Sequence, residues 1–235
     1  MQIARFFTMA LAVAAVTMLL SSGPGTRLGL WSWPIGLDLL EWATYAALAA
    51  GAGALVQLAL PRLRRRPAML FVALGLALVV AVPPIALLWQ AYRLPFIHDV
   101  TTDSADPPAF VALLSERSKA PNGSVYGGPK VAAEQGRGYP DIRALVLPSP
   151  PEAVLPRALA AARAMDWQIV ASDAAAGRIE ATATTLWFGF KDDVIVRIRA
   201  EAAGSRVDVR SVSRVGDSDI GANAKRIREF LARLA

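Results

Sequence analysis

FKDDVIVRIRA (190–200), EAAG (201–204) and SRVDVRSVSRV (205–215) are the stretch that decides the fold of the C-terminal half. Both long runs alternate apolar and polar residues, the period of a strand with one face buried. Folding the second run back on the first across Glu201–Gly204 sets Val196 opposite Val209 and Ile198 opposite Val207, so one face becomes continuously apolar. Working towards the N-terminus, Arg178–Trp187 reads as a third strand. A turn across Phe188-Gly189 would set Ala183, Ala181 and Ile179 opposite Val194, Val196 and Ile198. Trp167–Ala171 supplies a fourth strand. The other face then carries Glu180, Thr182, Thr184, Asp193, Arg197, Arg199, Arg206, Asp208, Arg210 and Arg214. It is expected to be solvent-exposed, with Arg197 between Glu180 and Asp208 as cross-strand charge pairs.

Helical periodicity flanks these strands. Ser149 and Glu152 have capping-box spacing, and Val154, Leu155, Ala158, Leu159, Ala162 and Met165 follow a helical stripe interrupted by Pro156. A last helix from about Ser218 carries Ile220, Ala224, Ile227, Phe230, Leu231 and Leu234 on one side. Further upstream, Asp106-Pro107-Pro108 reads as the start of a helix reaching about Arg117. Pro121-Asn122-Gly123 reads as a turn, and the Gly-rich Tyr126–Pro140 as irregular chain. The expected fold of residues 98–235 is therefore α+β: an antiparallel four-stranded sheet with helices packed on one face.

Residues 1–92 read differently. Ile3–Leu20, Leu39–Leu60 and Ala68–Trp89 are apolar stretches near the roughly 20 residues that cross about 30 Å of hydrocarbon. They predict an α-helical membrane anchor of about three transmembrane helices. The first stretch lacks a clear A-x-A cleavage site and reads as an uncleaved helix. Between the second and third lie Arg62, Arg64, Arg65 and Arg66, which the positive-inside rule places in the cytoplasm. The N-terminus with Arg5 is then cytoplasmic, loop Ser21–Leu37 is outside, and the 98–235 domain is extracytoplasmic. Trp31, Trp33, Trp42, Trp89 and Tyr92 would fall at the same outer interface. Asp38 and Glu41 share a helix face near that interface, where negative charge suits a helix start. No ionisable group falls at mid-membrane depth, which argues against a transporter or channel. Ala43, Ala47 and Gly51 form a small-xxx-small row suited to close helix packing, and Pro83-Pro84 should kink or break the third span.

The net charge of +6 has the same partition. The first 97 residues hold 7 Arg against 2 acids, while residues 98–235 hold 18 Lys and Arg against 17 acids. Without a basic stripe in the soluble part, nucleic acid is not an expected partner. The lipid bilayer is, together with an anionic lipid or another envelope protein. With no Cys in the chain, disulfides, thiolate nucleophiles, Fe–S clusters and Cys-type zinc sites are excluded, and no cofactor is implied. The absence of Cys suits either side of a membrane. The excess of Arg over Lys, 21 to 4, has a GC-rich bacterial flavour.

His98 is the only histidine. With Asp99, Asp103 and Asp106 it is a weak metal candidate, since these residues do not follow EF-hand spacing. A Ser-His-Asp triad lacks its G-x-S-x-G elbow, and Gly127-Gly128-Pro129-Lys130 lacks P-loop spacing. Arg210–Asn223 is the better candidate. Alternation puts Ser211 and Ser213 on the core face beneath the last helix, opposite Asp192 and near Asn223, where buried polar groups need partners. One reading is a hydrogen-bonded network that fixes helix to sheet. The other is a ligand site formed by Asp192, Arg210, Ser211, Ser213, Arg214, Asp219 and Asn223, in which the helix N-terminus holds an anionic head group.

His98-Asp99-Val100-Thr101-Thr102-Asp103 with Pro107-Pro108-Ala109-Phe110, the run Phe190-Lys191-Asp192-Asp193, and Arg210–Gly216 continuing through Asp219, Gly221 and Asn223 resemble the family called domain of unknown function 1499. The resemblance covers about residues 95–234. It implies a bacterial, often membrane-linked or exported domain, and no activity. Three functions remain open: a membrane-anchored periplasmic domain that binds an envelope lipid or partner protein, a periplasmic hydrolase built on His98 and nearby carboxylates, and a scaffold subunit of a membrane complex.

Overall fold

A computed structural model describes residues 2–62, 67–202 and 204–235. Arg64, Arg65 and Arg66, on which the orientation argument leans, lie outside the described residues. The chain divides into two compact units: residues 1–92 with Leu186–Gly189, and residues 93–185 with 190–235.

The first unit is built on three helices, α1 (Gln2–Arg27), α2 (Trp33–Ala59) and α3 (Pro67–Ala91), each long and apolar enough to cross a membrane. α1 runs to Arg27, so the outer loop expected over Ser21–Leu37 shrinks to the few residues before Trp33. Pro83 and Pro84 do not break α3, which continues to Ala91. The expected small-residue row is used: Ala43 and Ala47 are fully buried, and a Cβ on Gly51 would sit 3.4 Å from that of Ala77. Small side chains let backbones approach and gain dispersion contacts where no hydrophobic driving force exists. One cluster joins Ala15, Ala43, Ala47, Ala77, Val80 and Ala81, and a second joins Ala12, Ala50, Ala54 and Ala73. A polar contact also joins α1 to α2: Gln57 Nε2 donates to Thr8 Oγ1 at 2.7 Å. Asp38 and Glu41 fall beyond the first turn of α2, and Glu41 accepts a 2.6 Å bond from Tyr45 instead of capping.

The second unit contains β1 (Asp99–Thr101), α4 (Leu114–Arg117), α5 (Gly128–Gly138), β2 (Leu145–Leu147), α6 (Pro151–Ala164), β3 (Gln168–Asp173), β4 (Arg178–Thr184), β5 (Lys191–Glu201), β6 (Gly204–Ser213) and α7 (Ala222–Leu234). Its antiparallel sheet has six strands, not four. The order is β1-β6-β5-β4-β3, and β2 also pairs with β6. The two additional strands are three residues long, too short for alternation to reveal. β5 and β6 pair in the expected register, with Val196 opposite Val209 and Ile198 opposite Val207. β4 is displaced by two residues from expectation: Ala181 faces Val194, and Arg197 faces Arg178 instead of Glu180. The last pair is Thr184 with Lys191, so the connection is longer than a two-residue turn and is closed by Phe190 N–H donating to Thr185 Oγ1 at 2.9 Å. A shift of two keeps every side chain on its face, and the apolar face survives.

α6 and α7 pack on that face. Val154, Ala158, Ile179, Val196, Val207, Val209, Ile227 and Phe230 are all within one core, and Trp167 stacks on Phe230 with ring centroids 5.0 Å apart. Pro150 rather than Ser149 precedes α6; the Ser149 carbonyl instead accepts a bond from Ser205 Oγ at 2.6 Å. α7 starts at Ala222, four residues later than expected. Residues 126–140, read as irregular, contain α5. Its Gln135 side chain bonds both the N–H and the carbonyl of Thr101, at 2.9 and 2.7 Å, and so ties α5 to the edge strand β1.

The charged face, expected to be exposed, is largely covered, and only its margin at Thr184 and Arg199 stays exposed. Segment 102–126 covers it, leaving Glu180, Asp193 and Asp208 fully buried and Arg210 2% exposed. The helix expected over 106–117 is reduced to α4 because Val111, Ala112 and Leu113 spend their N–H groups on the Glu180 carboxylate, at 3.0, 3.0 and 2.9 Å. Phe110 and Leu113 join Ile195 and Val212 in a small second core there.

Candidate functional site

The sheet separates the candidate residues into two groups. On the α7 side, Ser211 Oγ donates to Asn223 Oδ1 at 2.6 Å, and Asn223 Nδ2 donates to Ser213 Oγ and the His98 carbonyl, both at 3.0 Å. Arg226 completes this network. Its guanidinium donates to Ser211 Oγ, to Asn223 Oδ1 and, at 2.6 Å, to Asp192 Oδ2. Asp219 lies at the head of α7 and accepts from Gly221 N–H at 2.9 Å and Asn223 N–H at 2.8 Å. The helix amides that an external anion would use are therefore met by the chain's own carboxylate. Burial raises the Asp219 carboxyl above its ordinary pKa, against the lowering effect of those two bonds.

On the other face, Arg210 forms a two-pronged pair with Asp99, at 2.9 and 2.7 Å. Arg214 does the same with Asp193, at 2.9 Å for both contacts. Arg117, with no exposed surface, donates to Asp193 at 3.0 Å and to the carbonyls of Asn122, Gly123 and Val212. Burial lowers its pKa while Asp193 opposes that, and a guanidinium held by this many acceptors stays charged. Asp193's hydrogen bonds raise the pKa of Arg214. Further along the face, Asp103, Asp106 and Asp208 are shared among Arg197, Arg199 and Arg206 at 3.0–3.5 Å. Asp99, Arg117, Asp193, Asp208 and Arg210 are buried ions compensated by partners, the condition under which burial is tolerated, whereas Asp106 and Arg199 stay exposed. Asp99 and Asp103 thus go to arginines. Among the described residues no three His, Asp or Glu side chains converge as metal ligands.

His98 takes a third position. Its backbone belongs to the Asn223 network, while its ring lines a cleft of about 410 Å³ with Phe96, Ile97, Asp99, Val125, Lys130, Val131, Glu134, Val212 and Asp217. That volume is within the range of about 300–1,000 Å³ typical of small-molecule sites. Phe96 and Val125 are 71% and 88% exposed, an apolar rim left uncovered by the described residues. His98 Nδ1 lies 3.3 Å from the backbone carbonyl of Asp217. Among the described residues no carboxylate is paired with the ring, so it is not oriented as the base of a catalytic triad. Beside the cleft, Tyr126 lies 5.5 Å from the Arg210 guanidinium, and burial pushes its hydroxyl up to about 12.

Sequence reasoning missed Arg226, Arg117 and the cleft residues of α5. Arg226 reads as an exposed helix residue, and Arg117 as a helix end. The α5 residues did leave a signal: Gly127, Lys130, Val131 and Glu134 follow i, i+3, i+4, i+7 spacing, one face of a helix.

A search among curated proteins finds no match. The family described as protein of unknown function (DUF1499) matches residues 99–234, the sheet, both networks and most of the cleft. With more than half the chain matched, this protein belongs to that family.

Proposed function

We propose that this is a multi-pass bacterial inner-membrane protein whose residues 98–235 face the periplasm and bind an envelope lipid. The observation that carries the reading is the cleft beside His98, with the exposed apolar side chains of Phe96 and Val125 on its rim and Lys130, Glu134 and Asp217 around it. An amphiphile fits such a mixture: apolar groups leave water against the rim, and polar atoms meet the charged side chains. Only residues 93–95 separate Tyr92, where the first unit ends, from Phe96. The buried charged groups of the sheet are engaged in ion pairs and hydrogen bonds, which supports a binding rather than a catalytic role.

The test is photo-crosslinking in intact cells with a photoreactive side chain at Val125, compared with one at Val170, a half-exposed position on β3. A lipid adduct at Val125 and none at Val170 is expected. Protein adducts at Val125 in place of lipid would replace the lipid with a partner protein.

A further inference from the structure

We infer that the cleft selects a zwitterionic lipid head group, one carrying a phosphate and a primary ammonium, an inference that rests on the lipid-binding reading above. Lys130, Val131 and Glu134 occupy one face of α5, and they line the cleft together with Gly127 just before the helix. Lys130 and Glu134 are one turn apart yet form no ion pair with each other or with another described residue, and the same holds for the Asp217 carboxylate. This contrasts with the sheet and its covering segment, where Asp99, Asp103, Asp106, Asp192, Asp193 and Asp208 all have arginine partners. The uncommitted charges of the cleft are therefore one cation and two carboxylates beside an apolar rim.

A purely anionic head group would meet Lys130 but place its charge against Glu134 and Asp217, and like-charge juxtaposition selects against a ligand. A phosphate on Lys130 with an ammonium between the carboxylates satisfies both signs. His98 adds to the ammonium side. Its Nδ1 faces the Asp217 carbonyl, which can only accept, and in the tautomer that donates there Nε2 is left as an acceptor. A primary ammonium has N–H donors for Nε2 and the carboxylates, whereas a quaternary one has none. The exposed Phe96 and Val125 then meet the glycerol and the first acyl carbons.

The experiment measures binding of dihexanoyl lipids to the full chain purified in detergent. The lipids carry phosphoethanolamine, phosphocholine, phosphoglycerol or no head group. Phosphoethanolamine is expected to bind about tenfold tighter than phosphoglycerol or phosphocholine. Glu134→Gln should remove most of that preference without weakening phosphoglycerol, and Lys130→Gln should bring all phospholipids down to the headless lipid. Equal affinity for all four lipids, lost in a Phe96→Asp, Val125→Asp variant, would overturn the head-group inference and leave the lipid-binding reading standing. Tighter binding of phosphoglycerol, or a preference unchanged by Glu134→Gln, would also overturn the inference alone. Binding indifferent to Phe96 and Val125 would overturn both. Phe96 and Val125 are exposed, so their substitution should leave the fold intact.

Discussion

Asn223 shows how one side chain can serve an architecture. It is fully buried, and its amide uses both ends: Nδ2 holds Ser213 and the β1 approach through the His98 carbonyl, while Oδ1 accepts from Ser211 and Arg226. Asn223→Ala should therefore destabilise the 93–235 fragment by about 1–3 kcal/mol, the penalty for buried polar groups left unsatisfied, measured by chemical denaturation. An unchanged midpoint would contradict the structural role. Asp219 allows a test in pH. Its carboxyl is raised in the folded state, so the native state binds the proton more tightly than the unfolded chain. Its contribution to stability is fully present below the ordinary carboxylate value of about 4 and is lost as pH rises through the raised value. Denaturation midpoints of wild type and Asp219→Asn should thus diverge across this window, with wild type losing ground as pH rises. Parallel curves would show that Asp219 is not desolvated.

At the scale of elements, the sequence revealed whatever a long period can reveal. β5 and β6 were legible down to register, because ten residues of alternation admit one pairing that buries Val196, Val209, Ile198 and Val207 together. The partnership of Ser211, Ser213 and Asn223 followed from the same register, while Asp192 joins it through Arg226. The rest was hidden for physical reasons. β1 and β2 are too short to show a period. The β4–β5 connection is set by Thr185 and Phe190, a local hydrogen bond and not a pattern. The burial of the charged face depends on segment 102–126, whose place is determined by long-range ions: Glu180 holding three successive amides and Arg117 reaching Asp193. A face rich in Arg and Asp reads as solvated until its covering segment is known. Arg197 illustrates the difference, since it contacts Asp103, Asp106 and Asp208 where isolated surface pairs were expected. Arg117→Leu tests the covering segment directly. Removing one member of a buried pair strands the other and costs about 3–5 kcal/mol, read as a shift of the denaturation midpoint of the 93–235 fragment. A cost below about 1 kcal/mol, the value of a surface pair, would mean that segment 102–126 is a loosely held loop.

At the scale of the whole molecule, the chain separates into an arginine-marked set of three apolar helices and a nearly neutral domain that balances its charges internally. Three helices are long and apolar enough to cross a membrane, and an odd number of crossings puts the two ends of the chain on opposite sides. In the proposed orientation the positive-inside rule keeps Arg62, Arg64, Arg65 and Arg66 in the cytoplasm, and the lipid-binding proposal needs the cleft outside it. The direct measurement fuses reporters to Ala235 in the full-length protein, one active only outside the cytoplasm and one active only inside. The outside reporter should be active and the inside reporter silent, and replacing Arg62, Arg64, Arg65 and Arg66 with Ala should weaken that bias. Activity of the inside reporter alone would place the domain in the cytoplasm and contradict the account.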